Sequence, residues 1–365
     1  DYAYRCGLDV PPGLSAQLVL DGIRCAENDP DPSLYFGLAG LAWAGDVTDA
    51  WTTLGEDLAV DFDEQLASLL SNPFPRSAHT LFRGLSGLGL YALRRVRRTG
   101  PDPAAMIVQR LRECAVHDRD GMSWCTEPEI MRSPRGGTHW FNMGMAQGFL
   151  AVVCFLAFAA QAKIPGASEM LHESGRWLYA QRISERAGQC FPIGIDGTAK
   201  IPPQRLAWCN GDIPTALALL QAGIAADQRS WIDTATQVAL LAASIPADDT
   251  LESSLCHGDT GIGFAFAFFH AITGAQVLSG ASQRWFRRAL GRKIVGAPYE
   301  GFRYLLEQPW GSPPSVAQRW VSSGGFLRGA GGVALALLAA SESQPPEWAG
   351  ALMLPWTPVR VDRVA

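Results

Sequence analysis

Two short stretches, Arg205-Leu-Ala-Trp-Cys-Asn-Gly-Asp212 and Ser254-Leu-Cys-His-Gly-Asp259, decide the fold and the chemistry that this sequence can carry. Each places a cysteine two residues before a Gly-Asp pair, at the start of a long apolar run. Cys209, Cys256 and His257 offer two thiols and an imidazole, a set that zinc accepts while keeping a fourth position open in catalytic sites. Free cysteines are also common in protein cores, so either cysteine alone favours simple burial. The pair favours a metal site, because both cysteines stand at the same point of a repeated unit.

The repeated unit is marked by clusters of small residues, each of which opens a segment rich in Ala, Leu, Phe or Val. From Gly37 to Gly84 is 47 residues, and from Gly211 to Gly258 is again 47. A period of this length accommodates two helices and their connections, which indicates a helical hairpin. Glycine permits the sharp turns and close approach of helix starts that such a repeat requires. The clusters are Gly37-Leu-Ala-Gly40, Gly84-Leu-Ser-Gly87, Gly144-Met-Ala-Gln-Gly148, Asn210-Gly-Asp212, His257-Gly-Asp259 and Gly329-Ala-Gly-Gly332.

Two kinds of helix alternate along these repeats. The segments that follow the clusters are apolar on nearly every side, as in 149–158 and 262–269. The stretch 47–70 instead alternates acids with apolar residues, which predicts a single amphipathic helix. Apolar helices inside amphipathic ones predict an all-α fold, an α/α toroid in which six or seven helical hairpins form a double ring. The apolar runs are short and bracketed by polar residues, so no membrane span is predicted.

Domain organisation follows from the extent of the repeats. A chain of 365 residues is long enough for two domains. The clusters nevertheless run from Gly37 to Gly332, so a single domain over 1–365 is predicted. The stretch 99–140 is rich in Pro and Gly and is predicted to be an irregular excursion within it. The stretch 292–325 is also predicted to be irregular, and the tail that follows the last repeat is predicted to pack as a non-repeating cover.

Charge and cysteine usage argue against several classes of protein. The net charge of −5 comes with no basic footprint for nucleic acid. Eight cysteines without close pairing do not have the pattern of a disulfide framework. Free thiols that can bind metal fit a reducing compartment, and nothing in residues 1–30 has the pattern of a signal peptide. A cytoplasmic location is therefore predicted.

The same motifs carry a resemblance to a known family. Trp208-Cys-Asn-Gly-Asp and Leu255-Cys-His-Gly resemble the motifs of the lanthionine synthetase C-like (LanC) cyclases. Ser33-Leu-Tyr and Gly84-Leu-Ser-Gly-Leu-Gly extend the resemblance, in order and at plausible spacing, over roughly residues 33–335. It implies an α/α toroid with a central zinc ion. It also implies an enzyme that joins a peptide cysteine to dehydroalanine or dehydrobutyrine in a thioether ring, with a dehydrated precursor peptide as substrate.

By this resemblance, Cys209, Cys256 and His257 are the zinc ligands and Arg205 lies near the site. The chemistry agrees with that assignment. A peptide thiol has a pKa of about 8.5 and is a weak nucleophile until it loses its proton, which zinc coordination achieves at neutral pH. Addition to the dehydro residue creates an enolate that Arg205 can stabilise, and an acid must then protonate the α-carbon. A structural arginine paired with a nearby aspartate is the alternative role for Arg205.

The sequence departs from the family where that acid is expected. Family members end the third cluster in Ala-His-Gly, whereas this chain has Gln147, which forms hydrogen bonds but transfers no proton at neutral pH. Thr80 stands where the second cluster usually has an aspartate, and Asn210 replaces the tyrosine after the first zinc cysteine. His139, His79 and bulk water are the candidate substitutes for the acid, although a lone histidine is more often a packed structural residue. The metal half of the site is predicted to be intact and the proton-transfer half replaced.

The sequence therefore predicts a zinc-dependent lanthipeptide cyclase-like protein, with a dehydratase or another biosynthetic enzyme as a possible partner. One alternative is a pseudo-cyclase that binds a modified peptide or supports a partner enzyme. Another is thiol activation for an addition that needs no dedicated acid. A more distant alternative is a toroidal glycosidase, for which Asp212 and Asp259 would supply the two carboxylates. Helix capping is the simpler role for both residues, and a glycosidase gives no role to the thiols and the imidazole.

Overall fold

The structure is a computed structural model. It describes residues 9–26, 30–75, 78–95, 102–126, 140–246, 252–306, 319–341 and 346–354. The contacts group the chain into two compact units, called here unit one (1–114) and unit two (115–365). Within the described residues, no helix has both the length and the apolar character needed to cross a bilayer.

Unit one is helical. Its helices are α1 (Leu14–Ala26), α2 (Leu38–Val47), α3 (Ala50–Leu54), α4 (Val60–Leu70), α5 (Leu85–Arg95) and α6 (Pro103–Cys114). Helix α1 packs against α2, α2 against α5, and α5 against α6. The core of the unit lies on α5, where the run from Leu85 to Ala92 is buried.

The prediction of one helix over 47–70 is wrong, because two helices occupy this stretch. Helix α3 ends at Gly55, which has φ 78° in the left-handed region, and α4 begins only at Val60. A glycine in this conformation commonly terminates a helix, since it has no Cβ to clash. The alternation of acids and apolar residues continues across the break, so periodicity alone did not reveal it.

Part of the stretch 99–140, predicted to be irregular, is regular. Helix α6 begins at Pro103, and proline is favourable at a first helical position because its missing N–H would have no partner there. Two short strands follow in unit two, β1 (Val116–Asp118) and β2 (Gly121–Ser123), which pair antiparallel. Pro103, one of the prolines in this stretch, therefore marks the start of a helix. Residues 127–139 lie outside the described part of the chain.

Unit two is built from helical hairpins. Its helices are α7 (Leu150–Gln161), α8 (Ala167–Ala180), α9 (Asp212–Ala225), α10 (Arg229–Ala243), α11 (Asp259–Thr273), α12 (Gln276–Gly291) and α13 (Ala330–Ala339). Helices α7 and α8, α9 and α10, and α11 and α12 pack as pairs. The first helix of each pair also packs against the first helix of the next pair, α7 on α9 and α9 on α11, and α11 packs on α13.

The first helices of these pairs form the core of unit two. In α7 every residue from Leu150 to Ala159 is buried, and in α9 every residue from Asp212 to Gly223. Their partners α8, α10 and α12 bury one side and expose the other. Apolar helices thus lie behind amphipathic ones, as the alternation in the sequence predicts.

Short strands connect the hairpins. Strands β3 (Trp140–Asn142), β4 (Gly194–Asp196) and β5 (Ala199–Ile201) form an antiparallel sheet in the order β3-β4-β5. Strands β6 (Arg303–Leu306) and β7 (Arg319–Ser322) pair antiparallel, within the stretch 292–325 that was predicted to be irregular. A 3₁₀ turn, Tyr299–Gly301, precedes β6.

Five of the six glycine clusters form one recurring turn. The first N–H groups of the following helix donate to a carbonyl seven residues earlier, at 2.6–2.8 Å. These bonds run from Leu38 to Asp31, Leu85 to Ala78, Phe149 to Asn142, Asp259 to Glu252 and Ala330 to Ser323. Glycine is required because a Cβ would overlap the carbonyl oxygen six residues earlier, as found at Gly40, Gly87, Gly148, Gly261 and Gly332. The repeat in the sequence is therefore a repeat of this turn.

The tail packs across unit two as a cover, as predicted, over residues 346–354. Its 3₁₀ segment Glu347–Leu352 is held by two side chains of the core. Trp208 Nε1 donates to the Leu352 carbonyl at 3.1 Å, and Gln221 Nε2 donates to the Met353 carbonyl at 2.7 Å.

Candidate metal centre

A series of backbone hydrogen bonds places the loops of unit two side by side. The Met145 N–H donates to the Cys209 carbonyl at 2.8 Å, and the Cys209 N–H donates to the Cys256 carbonyl at 3.1 Å. The Cys256 N–H in turn donates to the Leu327 carbonyl at 3.0 Å. Each bond joins the loop before one buried helix to the loop before the next. The two cysteines therefore become neighbours although 47 residues separate them in the sequence.

Cys209, Cys256 and His257 converge at this point. Their ligand atoms all lie within 4.8 Å of one another. Across the described parts of the chain, no other group of three or more His, Cys, Asp and Glu side chains is close enough to hold a metal ion. Cys256 and His257 are buried and Cys209 is half-buried. Two thiols and an imidazole at this separation fit zinc, which binds thiolate sulfur and imidazole nitrogen in tetrahedral sites.

The two thiols have strongly different acidities. A hydrogen bond from Cys256 holds the pKa of Cys209 well below its usual value, and His257 and the charge of Arg205 act in the same direction against the effect of burial. The pKa of Cys256 lies well above its usual value because of that same hydrogen bond and because burial disfavours a second thiolate. The protein alone thus favours one thiolate over two, and a bound cation can stabilise both thiolates.

Glu252 is a buried acid beside the imidazole that sequence reasoning missed. Its Oε1 atom lies 3.1 Å from His257 Nε2, and the two side chains are each 2% exposed. Burial raises the pKa of this carboxyl, while the charges and hydrogen bonds around it act to lower the pKa. No motif marked this residue in the sequence, because its proximity to His257 depends on the shape of the turn between them.

Arginines stand beside both thiols. Arg205 is half-buried and close enough to Cys209 for its charge to favour the thiolate. Arg328, also half-buried, hydrogen-bonds with Cys256 and favours its ionised form as well. Sequence reasoning predicted Arg205 and missed Arg328. A signal for Arg328 was available, since it directly precedes Gly329 as His257 directly precedes Gly258.

Of the candidates for proton transfer, Gln147 is the one that lies in the described part of unit two. Gln147 is half-buried in the turn before α7, two residues beyond Met145, so its loop adjoins that of Cys209. His139 lies outside the described residues. His79 and Thr80 are buried in unit one.

The carboxylates of Asp212 and Asp259 contact other groups of the protein. Both are fully buried. The Asp212 carboxylate accepts the N–H groups of Cys190 and Phe191, each at 3.0 Å. Asp259 Oδ2 lies 2.5 Å from Arg292 Nε and 3.3 Å from Arg288 Nε. Burial raises the pKa of both carboxyls.

These contacts correct the expected capping role and disfavour a glycosidase. Gly211 and Gly258 occupy the N-cap positions of α9 and α11, without a side-chain cap. Asp212 and Asp259 instead tether their helices to neighbouring segments. A glycosidase needs two carboxylates that reach the substrate, whereas these two are buried and held by the protein itself.

The chain is similar to proteins of known family and known structure. A family model for the lanthionine synthetase C-like protein matches residues 14–353. Among solved structures, nisin cyclase aligns with a TM-score of 0.67 and 19% sequence identity, over 93% of this chain and 84% of that chain. An inactive variant of an α-1,6-mannanase from Salegentibacter aligns over 94% and 97% of the two chains, at 12% identity and a TM-score of 0.45. No match was found among curated proteins. The predicted all-α fold, an α/α toroid, is confirmed.

Proposed function

Because the chain belongs to the lanthionine synthetase C-like family, we propose that it is a zinc-dependent cyclase that closes thioether rings in a dehydrated precursor peptide. The convergence of Cys209, Cys256 and His257 within 4.8 Å carries this proposal. Three protein ligands leave a fourth position of a tetrahedral site open for a peptide thiol. When bound, zinc would supply the positive charge that keeps such a thiol ionised at neutral pH.

The proposed reaction adds an S–H group across a carbon–carbon double bond. The peptide thiol loses its proton, and its sulfur forms a bond to the β-carbon of dehydroalanine or dehydrobutyrine. The π bond breaks, its electron pair moves toward the carbonyl oxygen as an enolate, and the α-carbon then takes up one proton. The role of Arg205 is to stabilise the enolate by a charge-assisted hydrogen bond.

The source of the final proton distinguishes this chain from the family pattern. Gln147 can orient a peptide or a water molecule by hydrogen bonding, but its amide cannot act as an acid at neutral pH. His139 is the proposed acid, and bulk water is the alternative. Cyclisation by this chain alone is therefore proposed to be slow, or to depend on a partner such as the dehydratase that prepares the peptide. A cytoplasmic location would keep the thiols reduced.

Gln147 also supports a second candidate function. A chain that holds zinc but lacks a positioned acid can act as a pseudo-cyclase, which binds the modified peptide without closing its rings. The two candidates share the metal centre and differ in turnover. Zinc content therefore tests the metal centre that both candidates share, and the cyclisation rate tests the chemistry in which they differ.

The first prediction concerns metal content. The purified protein is expected to contain about one zinc ion per chain, held by two sulfur ligands and one nitrogen ligand. Cys209→Ala and Cys256→Ala should lose this zinc, as measured by elemental analysis, with helical circular dichroism largely retained. Cys25→Ala is the matched control, because Cys25 is an exposed free cysteine in unit one. A wild-type protein that neither contains nor takes up zinc would contradict the proposal.

The second prediction concerns turnover. Wild type and Gln147→His are compared on a dehydrated precursor peptide, following the loss of free thiol with time. A positioned general acid contributes about 10²–10⁴-fold, so Gln147→His is expected to cyclise faster than wild type. Fast cyclisation by wild type that His139→Ala abolishes would assign the acid to His139. If neither protein cyclises a peptide that both bind, the pseudo-cyclase is the correct description.

A further inference from the structure

Glu252 is an acid at the candidate metal centre that takes no part in the proposed chemistry. Its carboxylate lies beside His257, with Oε1 at 3.1 Å from Nε2 and both side chains 2% exposed. A buried carboxylate is costly unless charges and hydrogen bonds compensate it. The contacts of the Glu252 carboxylate must therefore compensate its burial.

The carboxylate of Glu252 is fixed from several directions. The Leu305 N–H of β6 donates to Oε2 at 2.7 Å, and the Ser254 hydroxyl donates to Oε1. The backbone is fixed too, because the Glu252 carbonyl accepts the Asp259 N–H at the start of α11, at 2.6 Å. Strand β6 is itself held by pairing of Leu305 with Trp320 in β7. The carboxylate thus has a set position before any metal binds.

A fixed carboxylate at Nε2 decides which atom of the imidazole remains for a metal. A carboxylate 3.1 Å from Nε2 can only accept a proton-bearing partner, so it favours the tautomer that carries the proton on Nε2 and leaves the lone pair on Nδ1. Such carboxylate partners fix the orientation of a ligating histidine and raise its basicity. We infer that Glu252 is the positioning residue of the metal centre, holding His257 so that Nδ1 is the atom offered to the metal beside Cys209 and Cys256. This inference rests on the proposed zinc site and extends it.

A purely structural role is the competing explanation. The bonds from Ser254 and Leu305 could serve only to attach β6 to the loop before α11. In that case, substitution of Glu252 would lower stability and leave the affinity for zinc unchanged. The two roles therefore differ in a measurement of metal binding, which does not depend on turnover.

The test measures zinc affinity by competition with a chromophoric chelator, using zinc alone and the full-length protein. Loss of a carboxylate partner typically weakens metal binding 10–100-fold, so Glu252→Ala is expected to fall in that range. Glu252→Gln keeps the size of the side chain and loses its charge, and a smaller loss is expected. Glu300→Gln is the control, because Glu300 is 80% exposed and pairs with Lys293. Its affinity should match that of wild type.

A second measurement on the wild-type protein needs no variant. Nitrogen-15 NMR of the zinc-loaded, histidine-labelled protein should show His257 with a protonated Nε2 and a metal-bound Nδ1. The inference is overturned if Nε2 is the bound atom. It is also overturned if both Glu252 variants keep the wild-type affinity within twofold. If the wild-type protein binds no zinc, the proposed function itself fails, whereas zinc binding that Glu252 does not influence refutes only this inference.

Discussion

At the scale of single residues, the charges around the thiols indicate what the site is prepared to bind. Arg205 stands beside Cys209, Arg328 beside Cys256, and Glu252 beside His257. A divalent cation would balance two thiolates, and the carboxylate would balance one guanidinium. One positive charge then remains, which suits a single additional anion such as a substrate thiolate or an enolate.

The third prediction is that Arg205 acts on the reaction and not on the metal. Arg205→Leu should lower the cyclisation rate by about 10²–10³-fold, as expected when one donor to a developing oxyanion is removed. Zinc content should stay at the wild-type value, since a guanidinium has no lone pair to offer as a ligand. Rates and elemental analysis are measured on the same samples, with the exposed Arg287→Leu as control. Loss of zinc in Arg205→Leu would contradict the prediction and show that Arg205 acts by keeping Cys209 ionised as a ligand.

The sequence predicted part of this centre and could not predict the rest. Cys209, Cys256 and His257 stand in repeated motifs, so their convergence followed from the repeat. Glu252 lies five residues before His257 in the sequence, a spacing that has no fixed meaning outside a helix. Its contact depends on the turn that returns the Asp259 N–H to the Glu252 carbonyl. The glycine clusters mark this turn, but they do not indicate that the side chain at its first position reaches the imidazole, since that contact depends on side-chain orientations within the loop.

At the scale of elements, α11 is joined to the end of α12 through Asp259. The carboxylate is fully buried, while Arg288 and Arg292 are 17% and 24% exposed. The arginines can therefore stay partly hydrated without their partner, but the carboxylate cannot. Burial raises the pKa of Asp259 even with both guanidinium groups present. The two sides of this ion pair should consequently respond differently to substitution.

The fourth prediction follows from that asymmetry. The double variant Arg288→Leu/Arg292→Leu leaves a buried, unpaired carboxylate and should lower the free energy of unfolding by about 3–5 kcal/mol at pH 7. Asp259→Asn should cost less, because it leaves only partly hydrated arginines. Chemical denaturation measures both, with Arg287→Leu, an exposed neighbour on α12, as control. Equal losses in the two variants would contradict the argument.

The same double variant should also depend on pH. A carboxyl whose pKa is raised in the folded state binds its proton more tightly there than in the unfolded chain. Its contribution to stability is greatest below the unfolded pKa and is lost as the pH rises through the folded pKa. Removing the two arginines raises the folded pKa further. The difference in the free energy of unfolding between the double variant and wild type should therefore become smaller as the pH is lowered from 7. A difference that does not change with pH would show that ionisation of Asp259 is not its cause.

Secondary structure was predictable where an apolar run was long, and less so elsewhere. The fully buried runs of α7 and α9 follow from the apolar segments after the glycine clusters. The break at Gly55 was missed because the amphipathic pattern continues through it. Strands β6 and β7 were missed because each has only four residues, too few for a reliable alternation between two faces.

At the scale of the whole molecule, the fold brings distant parts of the chain to one place. Within unit two, the tail closes over the hairpin of α9, which begins just after Cys209. Trp208 and Leu352 are 144 residues apart in the sequence and share one hydrogen bond, and Gln221 holds the next carbonyl along. Trp348 also stacks on Phe264 of α11, with ring centroids 5.0 Å apart. The cover therefore depends in part on Trp208, which directly precedes Cys209 of the metal motif.

The fifth prediction tests whether the cover acts as one unit. Trp208→Phe removes the indole N–H and part of a fully buried ring, leaving the Leu352 carbonyl without that donor. Together these effects should cost about 2–4 kcal/mol. Gln221→Leu similarly removes the donor to the Met353 carbonyl and should cost about 1–3 kcal/mol. The free energy of unfolding is measured by denaturation, with Trp320→Phe as control, because Trp320 is 44% exposed and its change should stay within about 0.5 kcal/mol.

The combination of the two substitutions distinguishes a single cover from two separate contacts. If loss of either hydrogen bond detaches the segment 346–354, the other bond is already broken, so the second substitution costs little more. The double variant Trp208→Phe/Gln221→Leu should then cost at least about 0.5 kcal/mol less than the sum of the single variants, a coupling typical of residues that share one element. Costs that add fully would show that each bond holds its own part of the tail. Because Trp208 precedes Cys209, detachment of the cover should also lower the affinity for zinc, which the chelator competition measures in the same variants.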